Sequence, residues 1–232
     1  MVIRMIKYSD NFKWNEFLQP YELAVEGFIL KIEGIKKQYH IKKEYCPIEI
    51  VSGRVKSPKS ILDKATRMGV PFDYIDEKLY DIGGIRITCK YIEDVYMVAE
   101  LIKNRRDVNV LEIRDYIKNP KPSGYRSLHL IVEYYVETMD GTELIRLEFQ
   151  IRTHSMHFWA SIEHSLKYKY QKQIPLEIKE RLVKASEVGS ALDGEMSSIK
   201  SLIDELEEKG IKGQDIDDSL EDEVTVNNFK RW

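Results

Sequence analysis

The chain has 232 residues, 43% of them hydrophobic and 32% charged, with 36 Lys and Arg against 39 Asp and Glu for a formal net charge of -3. That apolar fraction excludes a disordered chain, and the length supports one domain with extensions, whose core needs neither disulfides nor metals. No stretch approaches the roughly 20 apolar residues that span a bilayer. The opening MVIRMIKYSD lacks the apolar block of a secretory signal, so a soluble, cytoplasmic protein is expected. Cys46 and Cys89 are the only cysteines, too few for a disulfide framework or a Cys-based zinc site, and each fits better as a small buried apolar residue.

Leu18, Tyr21, Val25, Phe28, Ile32, Ile35 and Tyr39 alternate spacings of three and four, which predicts one stripe of a long helix within an N-terminal region of residues 1–44. Residues 45–174 are expected to form a mixed α/β centre. Its strands are predicted at about 48–56, 84–90, 108–115, 127–137 and 142–152, and its helices near 58–69, 92–105 and 155–171. Asp140-Gly141 between two β-rich runs is a hairpin signal, which makes the last two strands antiparallel neighbours. A second three-and-four stripe, Ile178, Leu182, Ala185, Gly189, Leu192, Met196, Ile199, Ile203 and Leu206, predicts a C-terminal helix over 175–209 that packs with the first or between subunits. Residues 210–232 are acidic and poor in apolar side chains and are expected to be a flexible tail.

The charge is uneven. Asp204 to Glu223 holds ten acids and two lysines, which leaves the rest of the chain net positive. Arg54 to Arg67 carries five basic residues and one acid, and Arg114 to Arg126 four and one. Such clusters imply a polyanionic ligand, either nucleotide or nucleic acid.

In LIRLEFQIRT, Ile145, Leu147, Phe149 and Ile151 point one way and Arg146, Glu148, Gln150 and Arg152 the other, giving a core face and a polar floor. Arg86 and Thr88 alternate with apolar neighbours on one further strand, and Ser127 and His129 on another, so three strands present polar groups to one place. Asp81 and Glu148 are the carboxylates expected to hold Mg²⁺ there, since that ion takes one or two carboxylates together with waters and phosphate oxygens. Asp81 as a simple turn cap is the plainer alternative. Gly83 and Gly84 would let the backbone turn tightly before the strand.

Ser57 is a predicted N-cap and Pro58 an N1 residue, so a helix beginning there carries Ser60, Lys64 and Arg67 on one face, with Arg54 and Lys56 on the preceding strand. Together they form an anion cradle, against the alternative of a solvated basic face. No G-x-x-x-x-G-K-[ST] is present, which argues against a P-loop NTPase. Gly124-Tyr125 offers a flat ring for base stacking, with Arg114, Lys118, Lys121 and His129 as cations for a second phosphate chain. Two cradles imply two nucleotides. His154, His157, Glu163 and His164 are a weaker candidate set for an inhibitory zinc-like ion.

The motifs RVKSPKSILDK, DIGGIR, PSGYRSLH, EFQIRT and MHFWASIEHSLKYKY, in this order and spacing, resemble the synthetase domain of the RelA/SpoT family over about residues 45–170. The flanking helices and the length are similar to the stand-alone small alarmone synthetases of bacteria. The resemblance implies an α+β fold, a nucleotidyltransferase-like mixed sheet of about five strands flanked by helices. It also implies Mg²⁺-dependent transfer of pyrophosphate from ATP to the 3′-hydroxyl of GDP or GTP, with release of AMP.

By that resemblance Asp81 is a metal ligand, and Glu148 either binds the metal or accepts the hydroxyl proton. Arg54 and Arg86 sandwich adenine, while Lys56, Ser60, Lys64 and Arg67 contact the ATP phosphates. Tyr125 stacks on guanine. Lys121, His129 and Gln150, with Arg114 and Lys118, fall on the GDP/GTP side. His157 stands where some small synthetases carry Asn on the guanine side. The chain contains no His-Asp dipeptide, so no hydrolase activity is expected. A homotetramer built through the terminal helices is expected, no membrane partner is, and RNA enters only as a regulator. A conventional nucleotidyltransferase, releasing pyrophosphate, and a non-catalytic RNA-binding module are the competing readings.

Overall fold

The computed structural model describes residues 12–169 and 174–209. The chain divides into two units, residues 1–194 and 195–232, and the acidic tail from residue 210 lies outside the described residues. The elements are α1 (Trp14–Lys42), β1 (Ile50–Val55), α2 (Pro58–Met68), α3 (Ile75–Lys78), β2 (Gly83–Cys89), α4 (Ile92–Lys103), β3 (Val108–Asp115), β4 (Leu128–Thr138), β5 (Gly141–Thr153), α5 (His154–Lys169) and α6 (Leu176–Glu208), with one 3₁₀ turn at Phe72–Tyr74. All five expected strands form. Their order is β1-β2-β5-β4-β3, with β2 and β5 parallel and the other pairs antiparallel, the expected mixed sheet.

The α1 stripe is a packing seam as its spacing predicts: Leu18, Tyr21, Val25, Phe28 and Ile32 are buried. Phe28 meets Phe149 of β5 edge-on with ring centroids 4.7 Å apart. α4 buries Val95, Val98 and Ile102 in the same core, which is completed by Ile85, Ile87, Leu147, Phe149 and Ile151 of the sheet. The alternation in β5 therefore assigns the opposite face to Glu148, Gln150 and Arg152.

The α2 start follows its sequence signals. Ser57 Oγ accepts the Ser60 amide at 3.4 Å, Pro58 takes the first helical position, and Gly69 closes the helix at φ +67°. The β4–β5 hairpin also forms, with Thr138 opposite Gly141. That register leaves Met139 and Asp140 as the two loop residues, and the positive φ falls on Gly141, the first residue of β5.

Gly83 and Gly84 do not make the expected tight turn; both lie in β2 without positive φ. Their value is space. A Cβ on Gly83 would lie 2.6 Å from Leu147 Cδ2, and one on Gly53 of β1 would lie 2.4 Å from Val25 Cγ1 and 2.9 Å from Ile29 Cδ1. These glycines let α1 seat directly on the strands. Gly53→Ala is therefore expected to lower stability by about 1–3 kcal/mol, because β-branched Val25 and Ile29 cannot swing aside cheaply. Urea denaturation checks this, and an unchanged midpoint would contradict the seating of α1.

The C-terminal stripe behaves differently from α1. On α6 the buried residues are Ser186, Asp193 and Ser197, whereas Val188, Leu192, Met196, Ile199, Ile203 and Leu206 are exposed. Up to Gly194, α6 therefore meets the body of its unit along a face that carries Ser186 and Asp193 together with Leu182 and Gly189 of the predicted stripe.

Candidate active site

Strand register assembles the site. One transverse row of paired residues crosses all five strands as Ser52, Arg86, Gln150, His129 and Arg114. The neighbouring row runs Arg54, Gly84, Glu148, Ile131 and Glu112. Gly84 leaves the floor open between Arg54 and Glu148. Asp81, in the turn entering β2, reaches the same place, and both carboxylates line each of two cavities.

The first cavity is a narrow cleft of about 80 Å³ lined by Ser52, Arg54, Lys56, Arg86 and the two carboxylates. The second, of about 550 Å³, adds Arg114, Tyr116, Lys121, Tyr125 and His129. Only the second is large enough to enclose a nucleotide. In the narrow cleft Lys56 is drawn onto Asp81, whose Oδ2 lies 3.1 Å from Lys56 Nζ and 2.6 Å from Lys64 Nζ. Asp81 Oδ1 is buried without a partner. The carboxylate therefore faces cations rather than capping a turn.

Around Glu148 the side chains close a ring of hydrogen bonds. His129 Nδ1 is 3.1 Å from Glu148 Oε1, and Gln150 Nε2 donates to Oε2 at 2.7 Å. Gln150 Oε1 accepts from Arg152 Nη2 at 2.6 Å, and the same Nη2 donates to the Tyr125 hydroxyl. That hydroxyl lies 2.7 Å from His129 Nε2. With Glu148 ionised, His129 Nδ1–H donates to it, and Nε2 accepts from the Tyr125 hydroxyl in the neutral ring or donates to it in the protonated one. The polar floor is thus buried, Glu148 and Arg152 being 8% and 4% exposed.

Burial alone would raise the Glu148 pKa. Hydrogen bonding and charge from His129, the Gln150 amide and the charge of Lys64 outweigh it and hold the carboxyl down at about 2. Burial, then the neighbouring charges of Arg152 and Arg54, lowers the Arg86 pKa. Burial raises that of Tyr125. A site with this much confined positive charge favours a polyanion.

Most expected residues converge: Arg54, Lys56, Lys64, Asp81, Arg86, Arg114, Lys121, Tyr125, His129, Glu148 and Gln150 line one or both cavities. Ser60 and Arg67 are exposed on α2 and line neither. Lys118 does not reach the site; its Nζ lies 3.8 Å from Asp115 and 5.1 Å from the Tyr96 ring centre. His157 lines neither cavity; its Nδ1 is buried without a partner, and burial, then the charges of Arg86, Arg152 and His154, lowers its pKa.

The histidine set expected for zinc does not assemble: among the described residues no group of three or more His, Cys, Asp or Glu could hold a metal. The cause is helical spacing, for His164 turns into the wide cavity while His154 is exposed. The two-carboxylate site suits a hard cation that takes its remaining ligands from water and phosphate, and the partnerless Asp81 Oδ1 fits that role.

Tyr116, Arg152 and Ser161, not anticipated as nucleotide contacts, also line the wide cavity, as do Glu163 and His164, which were expected only as ligands of a zinc-like ion. Arg152 had a signal, its place two residues beyond Gln150 on the polar face of β5. Tyr116 had none, because its approach to Lys121 Nζ, 4.4 Å from the ring centre, depends on how the loop folds.

A protein-family model described as the region found in RelA / SpoT proteins matches residues 53–173. GTP pyrophosphokinase YjbM of Bacillus subtilis is 46% identical over 196 residues, 84% of this chain and 92% of that protein. The crystal structure of small alarmone synthetase 1 from Bacillus subtilis bound to its product pppGpp superposes with a TM-score of 0.79 at 46% identity, over 82% of this chain and 97% of that one. The same synthetase bound to AMPCPP gives 0.74 at 42% identity, over 83% and 98%. The sheet, the converging cradles and these similarities together establish that the chain belongs to the RelA/SpoT family.

Proposed function

We propose that the protein is a GTP/GDP pyrophosphokinase that transfers the β,γ-pyrophosphate of ATP to the 3′-hydroxyl of GDP or GTP, releases AMP and so makes (p)ppGpp in the cytoplasm. The observation that carries this reading is Glu148, buried and locked in a hydrogen-bonded ring, standing with Asp81 where both cavities meet. Relatives named GTP pyrophosphokinase, and the pppGpp and AMPCPP complexes of a similar synthetase, support it.

ATP enters on the side of Arg54 and Arg86, whose planar guanidinium groups suit stacking on adenine better than Lys would. Lys56 and Lys64 leave Asp81 for the phosphates, with Ser60 and Arg67 reserved for whatever extends beyond the cleft. GDP or GTP enters the wide cavity, its base on Tyr125, with Lys121, Arg114, His129 and Gln150 around it and His157 at the border between the two nucleotides. Tyr125 is fit for that task because Arg152 and His129 fix its hydroxyl and so its ring plane. Asp81 and Glu148 would hold Mg²⁺, which when bound neutralises charge on the reacting phosphates. A carboxyl held at about 2 is a weak proton acceptor, which favours Glu148 as the group that orients the 3′-hydroxyl over a free general base.

The test is AMP formation with purified protein, Mg²⁺ and ATP, followed by nucleotide separation. AMP is expected only when GDP or GTP is also present; AMP formed equally without them would refute the assignment.

Self-association into a homotetramer through the terminal helices belongs to the same proposal. The exposed row Leu192, Met196, Ile199 and Ile203 of α6 is more apolar than a monomer surface usually keeps in one line. Light scattering of Leu192→Asp/Ile199→Asp is expected to give a smaller particle than the parent chain; equal masses would remove the helix from the interface. Among the described residues no helix is long and apolar enough to cross a membrane.

A further inference from the structure

Up to Gly194, α6 meets the body of its unit through hydroxyls, carbonyls and one carboxylate. Ser186, 5% exposed, donates its Oγ–H to the carbonyl of Gly124. Two turns later Asp193, 7% exposed, accepts from Thr153 Oγ1 at 2.7 Å and from Ser155 Oγ. Ser155 Oγ also lies 3.2 Å from the Gly189 carbonyl, and Trp159 Nε1 donates to the Leu182 carbonyl at 2.7 Å. Positions 182, 186, 189 and 193 are three and four apart, so these grips share one helix face.

The gripped residues are informative. Gly124 precedes Tyr125, and Thr153 follows Arg152, and Tyr125 and Arg152 are bonded to each other across the wide cavity. Gly124 is itself fixed: its φ is +89°, its amide donates to the Lys121 carbonyl at 2.8 Å, and a Cβ there would fall 2.8 Å from Ser186 Cβ. Apolar residues at 186 and 193 would pack a helix as firmly and avoid the cost of burying polar groups. A fully partnered polar seam instead admits one register, which is how such networks specify geometry.

We infer that Ser186 and Asp193 are positioning residues for the guanosine nucleotide, holding from α6 the two backbone segments that carry Tyr125 and Arg152. The inference rests on the proposed use of the Tyr125 cavity by GDP or GTP. Neither residue touches the nucleotide; each acts through the segment it anchors.

The test is Ser186→Ala, which keeps Cβ and removes only the hydroxyl. Isothermal titration with GDP and separately with AMPCPP, in Mg²⁺, is compared with the parent chain. Loss of one hydrogen bond that leaves a carbonyl wanting is expected to weaken GDP about tenfold, with AMPCPP affinity within about twofold; the melting temperature falls by a few degrees, so the split between the two nucleotides is the readout. Asp193→Leu, which nearly keeps the volume but removes the oxygen that Thr153 and Ser155 share, is expected to move GDP affinity the same way. Equal weakening of both nucleotides would reduce the seam to general packing and overturn the inference, as would unchanged GDP affinity in both variants. Tyr125→Ala serves as the reference: if it leaves GDP affinity intact, the cavity assignment itself fails, whereas a loss there without one in Ser186→Ala refutes only the role of α6.

Discussion

Glu148→Gln is expected to lower the rate of AMP formation about a thousandfold while ATP still binds within a few-fold, and GDP within about tenfold, of the parent affinities. The side chain keeps its shape, and its amide oxygen can still accept from His129. Its amide nitrogen, however, would then face Gln150 Nε2, which now donates to Glu148 Oε2 at 2.7 Å. Two donors cannot share that contact, so Gln150 must turn over, and its contact with Arg152 at 2.6 Å is lost with it. The substitution thus removes the negative charge beside the attacking hydroxyl and opens the ring that orients Tyr125.

The pH behaviour follows from the sign of the Glu148 shift. Its folded-state pKa, about 2, lies below the ordinary 4.5, so its stabilisation is complete above about pH 4.5 and fades as pH falls towards 2. No activity limb between pH 5 and 8 should therefore arise from Glu148. Steady-state rates and direct binding check the variant, and a Glu148→Gln protein with more than a tenth of parental turnover would remove this residue from the reaction.

Neutralising Lys64 is expected to tighten the binding of Mn²⁺, as a paramagnetic stand-in for Mg²⁺, to nucleotide-free protein by about tenfold, and to weaken ATP at the same time. The reason is geometric. Lys64 Nζ lies 2.6 Å from Asp81 Oδ2, and its charge helps to hold down the Glu148 carboxyl, so the ammonium stands where a cation between the two carboxylates would stand. Lys56 Nζ, at 3.1 Å from the same oxygen, adds to the occupation. ATP phosphates would draw both lysines off Asp81, which couples metal entry to nucleotide entry; one unit charge at such a part-buried site is worth a few kcal/mol. Electron paramagnetic resonance titration of Lys64→Gln without nucleotide reads the effect. Unchanged Mn²⁺ affinity would mean that the lysines do not guard the carboxylates, and adding Asp81→Asn should abolish any gain.

Much of this site was legible in the chain because its parts are local. The period-two alternation of LIRLEFQIRT assigns Glu148 and Gln150 to one face, and Ser57-Pro58 marks the start of α2, and both hold. Other features depend on neighbours that only the folded sheet supplies. The row Ser52, Arg86, Gln150, His129, Arg114 exists because β5 inserts between β2 and β4, an order that no single strand encodes. Gly83 and Gly84 read as turn residues when viewed alone and serve as clearance for α1 and for the site floor once packed.

The α6 stripe shows the same limit in reverse. Its three-and-four spacing gives a helix correctly, but it does not show that the face meeting the body up to Gly194 also carries Ser186 and Asp193, which find partners at Gly124, Thr153 and Ser155. Lys118 belongs to a basic run by composition, yet the bend at Asp115, whose Oδ1 accepts the amides of Ile117 and Lys118, turns it away from the cavity.

The fate of the phosphates tests the central assignment most directly. With ATP labelled in its β-phosphate and unlabelled GDP, the label is predicted to appear wholly in a guanosine product bearing a 3′-pyrophosphate, with one unlabelled AMP formed for each. Label recovered as free pyrophosphate would contradict the assignment and make the chain a nucleotidyl-transferring enzyme on the same sheet.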